Sequence, residues 1–560
     1  MNHRLLLVAS AVGLFATIAI GPMPAAATPC TNLKFVQLQQ ITITSAEDNT
    51  TGTFTVPNSN PPAILIGLPA FCRVTATLTP MSDSSIHIEV WLPETTWNSR
   101  FLGTGGGGFQ GVIAYRELAT GIRKGFAAAN SDLGTGSSGC NPLYCGSAGN
   151  MGNPLAIALG DPSTPSTGLF GHPERINDFG YRAIHLMTFW GKEIVRSFYQ
   201  QNAQTAYFDG CSTGGQNALM EAQRFPGDYN GILAGDAAFN RTHLHMAVLA
   251  LWRDTHATRG WFIQPGQMTL INKVVLAQCA GQDGGVKTDA FLTDPRGCHF
   301  DPKVLQCTGS NVGPACLSAE QVTTITNYYA GVIDPQTGEV INPGFARGSE
   351  TDDILARGLL FQELLPEPAF DGLFYWVFGP SFGYSVSTTN YKNFDFHNDV
   401  KMVDAPLADP LNADSTDLSA FKQLGNKLIM YHGWADPLIP SQSSINYFNA
   451  LVGHDSKTQE YARLFMVPGM FHCSGGPGPN VFDGLTPLVN WVEHGVAPET
   501  IIATKFVADT PPAVEMTRPL CMFPYVATYK GSGNTNVATN FACVADEPDF
   551  NQTPAPKCGP

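Results

Sequence analysis

Tyr207-Phe208-Asp209-Gly210-Cys211-Ser212-Thr213-Gly214-Gly215 is the stretch whose reading decides the fold. Apolar residues lead in. Gln216-Asn217-Ala218-Leu219-Met220-Glu221-Ala222 then reads as the start of a helix. Between them Gly210-Cys211-Ser212-Thr213-Gly214 matches G-x-S-x-G, the turn that lifts a serine hydroxyl above the end of a strand. Small residues must flank the serine, because so tight a bend leaves little room for side chains. The pentapeptide alone is a common pattern. Two later segments give it weight.

Lys427-Leu428-Ile429-Met430-Tyr431-His432-Gly433-Trp434-Ala435-Asp436-Pro437-Leu438 is an apolar strand ending in a loop that carries Asp436. Arg463-Leu464-Phe465-Met466-Val467-Pro468-Gly469-Met470-Phe471-His472-Cys473 is a second such strand, ending at His472. The order Ser212, Asp436, His472 is nucleophile, acid, base, the chain order of α/β-hydrolases. Each residue falls just past a strand, where open α/β sheets place their sites. The chemistry assigns the roles. A serine hydroxyl is a poor nucleophile at neutral pH, so His472 takes its proton, and Asp436 holds the imidazole tautomer and stabilises the imidazolium. Cys211 precedes Ser212 and Cys473 follows His472, so a Cys211–Cys473 disulfide would staple nucleophile to base.

Upstream, Phe101-Leu102-Gly103-Thr104-Gly105-Gly106-Gly107-Gly108-Phe109 is a strand ending in a glycine run. No Lys-Ser/Thr follows, which argues against a phosphate loop. With a serine elbow downstream, the run reads as the loop that brings the second oxyanion donor to the substrate. The first donor is then the N–H of Thr213, and Gly107 is the preferred second. Before the run, Arg73-Val74-Thr75-Ala76-Thr77-Leu78-Thr79 and Ile86-His87-Ile88-Glu89-Val90-Trp91-Leu92 alternate as antiparallel strands do. Asp178 to Gln200 reads as a helix. Residues 241–424 lose the strand–helix alternation and read as a lid inserted between the nucleophile and acid segments, so 28–240 and 425–560 form the catalytic domain. His243 and His245 make an H-x-H taken as structural. The tail after His494 reads as irregular.

Composition sets the compartment and excludes partners. Arg4 followed by apolar Leu5 to Ile20 and by Ala25-Ala26-Ala27 has the form of a signal peptide over residues 1–27, which predicts a secreted or periplasmic protein. The net charge of −15 and the lack of a basic stretch argue against nucleic acid and anionic membrane. All 13 cysteines follow the cleavage site, so disulfides are expected and at least one cysteine is left over.

Cys211-Ser212, Asp436 and His472-Cys473, with Tyr431 to Pro440, Val467 to Cys473 and Gly103 to Phe109, resemble the signature segments of the tannase and feruloyl esterase family, which includes the hydrolase of mono(2-hydroxyethyl) terephthalate. The resemblance covers essentially the whole mature chain. It implies an α/β-hydrolase core with a lid, and a secreted serine esterase acting on esters of aromatic acids such as gallate or ferulate. It further implies the pairings Cys30–Cys72, Cys211–Cys473, Cys279–Cys298, Cys307–Cys316 and Cys521–Cys543. Cys140, Cys145 and Cys558 are extra. Catalysis needs no cofactor, but the family implies a structural calcium in the lid. Here its ligands would be Asp283 and Asp289, with the carbonyls of Gly285 and Phe291. Ala280 stands where the family has an Asp, and Lys287 adds a positive charge, so the calcium is left open.

For the acyl pocket the expected wall is aromatic, with Trp376, Phe378 and Phe382 stacking on an aryl ring. Residues 374–396 contain no Arg. A substrate bearing a free carboxylate would want a guanidinium there, so uncharged phenolic acyl groups are favoured over terephthalate monoesters. The alcohol is open and includes a sugar or polysaccharide. The alternatives are a terephthalate-monoester or general aryl or alkyl esterase and, from another class, a catalytically silent binding protein of the same fold.

Overall fold

The computed structural model describes residues 28–36, 40–59, 61–109, 111–136, 169–256, 261–309, 313–350, 372–379 and 390–545. Cys140, Cys145, Phe382, Cys558 and the leader at 1–27 lie outside these residues.

Among the described residues nine strands make the central sheet: β1 (Ile41–Asn49), β2 (Phe71–Leu78), β3 (Ile86–Pro93), β4 (Arg100–Thr104), β5 (Ala127–Ser131), β6 (Thr205–Cys211), β7 (Gly231–Gly235), β8 (Lys427–Gly433) and β9 (Ala462–Val467). They lie in the order β1-β2-β3-β5-β4-β6-β7-β8-β9. β1, β2, β3 and β5 pair antiparallel in succession, and from β5 to β9 every pair is parallel. Parallel strands are covered on both faces, and these sequences suit that burial. Every residue of Ala-Ala-Ala-Asn-Ser in β5 and of Gly-Ile-Leu-Ala-Gly in β7 is buried. The antiparallel edge instead alternates, as in β2, where Phe71, Val74, Ala76 and Leu78 are buried between half-buried neighbours. Cys30 reaches this edge through its bond to Cys72.

The helices that matter here are α1 (Tyr115–Arg123), α2 (Ala183–Tyr199), α3 (Thr213–Arg224), α4 (Arg241–His256), α5 (Pro265–Cys279), α6 (Ala319–Ala330), α7 (Gly372–Phe378), α8 (Asn398–Leu411), α9 (Ser441–His454) and α10 (Leu485–His494). The helix expected from Asp178 opens with a π turn, Asp178–Arg182, and runs on as α2. It packs so close to the sheet that a Cβ on Gly191 would sit 2.9 Å from the Phe101 ring.

Among the described residues, 241–424 contributes no strand to the nine-stranded sheet. Part of it builds a second apolar core of Val248, Ile263, Ile271, Val275, Phe300, Ile325 and Phe345. The rest, including Phe374, Trp376, Val403 and Leu407, joins the main core. The Cys279–Cys298 and Cys307–Cys316 bonds lie within this segment.

The tail after His494 is not irregular. β10 (Thr500–Phe506) pairs with β11 (Val514–Cys521), and β12 (Tyr525–Tyr529) pairs with β13 (Phe541–Ala545). In β10 the inward positions are Ile501, Ala503 and Lys505. The period of two is present, but a methyl and an ammonium fill two of its buried sites. Lys505 is satisfied there by the Gly476 carbonyl and Asp509, each at 2.6 Å.

One half-buried acid in the sheet makes stability depend on pH. Burial pushes the Asp209 carboxyl of β6 up to about 7, with Glu117 adding and Lys124 opposing. Unfolded, this group ionises as an ordinary aspartate does, near 3.8. Between those values the folded state keeps a proton that the unfolded state has lost, so this contribution falls as pH rises and is lost by about pH 7. Taken whole, that shift is worth about 4 kcal/mol. The half-buried carboxyl keeps part of its hydration, so Asp209→Asn is expected to stabilise the protein by about 1–2 kcal/mol at pH 8 and by nothing measurable at pH 4. Urea unfolding at the two pH values checks it, and equal effects at both would refute the assignment.

Candidate active site

Ser212 sits where β6 gives way to α3, with φ 64° and ψ −121°. This backbone region penalises any residue with a Cβ. Several bonds hold it. The Ser212 N–H donates to Gly235 O (3.0 Å), and its carbonyl accepts from the N–H groups of Gln216 (3.0 Å) and Ala238 (3.1 Å). The flanking glycines are required sterically. A Cβ on Gly210 would lie 2.5 Å from the Gly214 carbonyl oxygen, and one on Gly105 would lie 2.3 Å from the Gly214 Cα. The glycine loop is thus seated directly on the elbow. Gly105 N–H donates to Asp209 O (2.9 Å), and Gly214 N–H donates to Gly106 O (2.7 Å). Thr213 Oγ1 donates to Gly108 O (2.7 Å). The Gly106 bond fixes the peptide plane that carries the Gly107 N–H. The Thr213 N–H is the first of α3, a donor with no partner inside the helix.

Asp436, on the loop after β8, is 1 % exposed. Its Oδ1 accepts the N–H groups of Leu438 (2.7 Å) and Ile439 (3.0 Å), leaving Oδ2 for His472 Nδ1 at 2.7 Å. Burial works to raise this carboxyl, but His472 and His432 outweigh it and hold Asp436 well below the usual carboxylate range. The Cys211–Cys473 disulfide, with its Cα atoms 5.9 Å apart, ties the neighbour of Ser212 to the neighbour of His472 across 262 residues of sequence.

Two residues that the sequence did not single out stand behind Asp436. His432 is fully buried, with Nε2 donating to Ile439 O (3.1 Å) and 3.3 Å from Asp436 Oδ2, and Nδ1 2.7 Å from Ser444 Oγ. Asp236, just past β7, accepts the Gly433 N–H at 2.8 Å and lies 3.6 Å from His432. Burial pushes Asp236 up to about 6, against the pull of His432. The acid therefore rests on a buried His–Asp pair. Its only sequence signal is a histidine four residues before Asp436.

A pocket opens beside Ser212 and Thr213. Its apolar lining is Leu244 and Val248 of α4 with Leu438 and Ile439 of the Asp436 loop, and its polar lining is Gly108, Arg241 and His245. Trp376 and Phe378 of the expected aromatic wall are placed elsewhere. Trp376 is fully buried, edge-on to Phe109 (5.8 Å) and Phe179 (6.1 Å), and Phe378 packs toward Phe394 (6.2 Å). α7 turns these rings into the main core, where burial of their large apolar area is worth most. His243 pairs with Asp404 (2.9 Å), while His245 of the same H-x-H reaches the pocket.

The residues of the implied calcium site do not fit the ion. Asp289 is paired with the buried Arg518 guanidinium (2.9 Å) and accepts the Val286 N–H. Asp283 accepts the N–H groups of Gly281, Gly285 and Thr293. Phe291 lies under Arg518, 5.9 Å from its centre, and a Cβ on Gly285 would crowd Thr293. Calcium takes six to eight oxygens. Here a fixed cation already neutralises one of the two carboxylates, and N–H donors converge on the other.

A sheet of this order with a serine at its elbow defines an α/β-hydrolase. The family model described as tannase and feruloyl esterase matches residues 72–544, and the chain belongs to that family. It is a carboxylic ester hydrolase. An uncharacterized esterase of Xanthomonas campestris is 35 % identical, over 96 % of this chain and 93 % of the relative. A probable feruloyl esterase B-2 of Aspergillus flavus is 32 % identical, over 81 % and 83 %. Among solved structures, feruloyl esterase B from Aspergillus oryzae superposes with a TM-score of 0.77 at 25 % identity, covering 92 % of this chain and 100 % of that one. Tannin acyl hydrolase from Aspergillus niger shares the fold, with a TM-score of 0.70 at 23 % identity over 93 % and 94 %.

Proposed function

We propose that this protein is an exported serine esterase that cleaves esters of phenolic acids through an acyl-enzyme on Ser212. The observation that carries the reading is the strained elbow holding Ser212, stapled through Cys211–Cys473 to a histidine whose Nδ1 is 2.7 Å from buried Asp436. In the first half-reaction Ser212 Oγ bonds to the ester carbon while His472 Nε2 takes the hydroxyl proton. The carbonyl π pair moves onto oxygen, where the N–H groups of Thr213 and Gly107 receive it. Collapse breaks the bond to the alcohol oxygen, which leaves with the proton from His472. Water then repeats the sequence on the acyl-serine and releases the acid. Asp436 stays ionised throughout, because two histidines stabilise its charge.

The names of the relatives favour feruloyl esters, and the apolar pocket lining suits an aryl group. Arg241 lines that pocket, with both terminal nitrogens of its guanidinium bonded to protein oxygens. The reading of an uncharged acyl group rests on the apolar lining of Leu244, Val248, Leu438 and Ile439. Five disulfides among the described residues support export to an oxidising compartment. No helix among the described residues is long and apolar enough to cross a membrane.

The test is a panel of methyl ferulate, methyl gallate and mono(2-hydroxyethyl) terephthalate on the purified mature protein. Turnover of a phenolic ester, blocked by a fluorophosphonate whose mass is found on the Ser212 peptide, is the expected outcome. A folded protein inert on all three, or a label on another residue, would overturn the reading.

A further inference from the structure

Arg241 begins α4 and is 3 % exposed. Nη1 donates to Thr213 Oγ1 (2.9 Å) and Gln216 Oε1 (3.2 Å), and Nη2 donates to Gly108 O (2.9 Å). Thr213 Oγ1 donates to that same Gly108 carbonyl at 2.7 Å. The three residues close a triangle between the start of the nucleophile helix and the end of the glycine loop, the two segments assigned the oxyanion donors. The guanidinium carbon lies 5.0 Å from the Phe109 ring centre and 4.7 Å from that of Phe179.

This cation has no carboxylate partner among the described residues. Other buried or half-buried arginines do: Arg73 pairs with Glu89, Arg100 with Glu493, Arg182 with Asp178 and Arg518 with Asp289. Arg241 Nε finds no acceptor among the described residues. Burial alone acts on Arg241, pushing its pKa down to about 9 with nothing opposing, which leaves it charged at neutral pH. An uncompensated buried charge is costly. A brace between Gly108 and Thr213 needs no charge, and a neutral amide would supply it at less cost. The charge becomes favourable when a negative oxygen appears next to it, as it does in the tetrahedral intermediates of acyl transfer and the transition states that lead to them.

We propose that Arg241 is a positioning residue for the oxyanion hole: its guanidinium locks the glycine loop to the nucleophile helix and sets a positive charge behind the oxygen that becomes negative. The proposal rests on the serine-esterase reading. Because the ground-state ester carbonyl is neutral, Arg241 acts on kcat and leaves KM nearly unchanged.

The test compares Arg241→Lys, Arg241→Gln and Arg241→Met with the wild-type enzyme on whichever methyl ester it turns over. A second readout is affinity for phenylboronic acid, which forms an anionic tetrahedral adduct with a reactive serine. Loss of a direct oxyanion donor costs about 100- to 1000-fold, so a charge one step removed is expected to cost about 30- to 100-fold in kcat for Gln and Met. KM should stay within threefold, boronate affinity should fall by the same factor as kcat, and Lys should recover at least tenfold over Met. Should Met fail to fold, the Lys and Gln pair carries the comparison, since both can reach Gly108 and only one is charged. Equal rates for Lys and Gln, or a loss confined to KM, would overturn the proposal. An active wild type with unaffected variants removes the role of Arg241 alone, whereas a wild type inert on every ester removes the esterase reading with it.

Discussion

Ser212→Gly is expected to abolish turnover and to make the protein more stable, whereas Ser212→Ala abolishes turnover and leaves stability where it was. Both remove the nucleophile, so both lose about a millionfold in kcat, the scale seen when a serine that acts as a unit with its base is deleted. They differ in backbone strain. At φ 64° and ψ −121° a residue with a Cβ costs about 1–3 kcal/mol, and alanine carries that cost as serine does. Glycine does not. It returns part of the gain through the extra freedom of its unfolded chain, about 0.5–1 kcal/mol, so the net stabilisation is about 1 kcal/mol. The shift in urea midpoint between the two variants isolates the strain, since neither has a hydroxyl at the site. A glycine variant no more stable than the alanine variant would mean that the elbow is relaxed and that the surrounding bonds shape it without cost.

That strain is also why the elbow could be read in the sequence. Gly210, Gly214 and Gly105 are forced by atoms that would lie 2.3 to 2.5 Å from an added Cβ at two of them, and so local a constraint leaves a local mark. Asp436 and His472 were legible for a similar reason, since each ends a strongly apolar strand. What could not be read depends on contacts remote in sequence. Arg241 meets the Gly108 carbonyl 133 residues away, and Arg518 meets Asp289 across 229, so neither position carries a pattern of its own. The aromatic run at Phe374 to Phe378 shows the converse limit. Its composition fits a pocket wall and a core equally, and only the placement of α7 against Phe109 and Phe179 decides for the core. In β10 the alternation exists, but Ala503 and Lys505 occupy inward sites that a hydrophobic pattern would need to fill.

Removing the Cys211–Cys473 bond, by Cys211→Ser together with Cys473→Ser, is expected to cost both stability and most of the activity. The bond closes a separation of 262 residues, and the chain-entropy model gives about 5 kcal/mol for a loop on that scale. The disulfides nested at 279–298 and 307–316 shorten that loop only slightly, but residual structure in the unfolded chain lowers the chain-entropy figure, so about 3–4 kcal/mol is the expected loss. The activity loss follows from where the bond sits. Cys473 has φ 62°, a conformation disfavoured for a side chain with a Cβ, and besides the disulfide the His472 loop is tied by the Asp436 bond, by Lys505 Nζ to Gly476 O and by the local bond from Ser474 N–H to His472 O (2.8 Å). Released, the loop can relax this residue and carry His472 away from Ser212. Displacement of about 1 Å is enough to lose about 100-fold in rate. Cys307→Ser with Cys316→Ser is the control: it opens a loop of only 9 residues of separation in the inserted segment, and its kcat should stay within twofold of wild type. Unfolding in urea and kcat for both double variants, with the wild type under reducing conditions alongside, make the comparison. A Cys211/Cys473 variant as active and as stable as its control would show that the elbow and the Asp436–His472 pair hold their geometry unaided. The staple would then be an ordinary surface crosslink that happens to flank them.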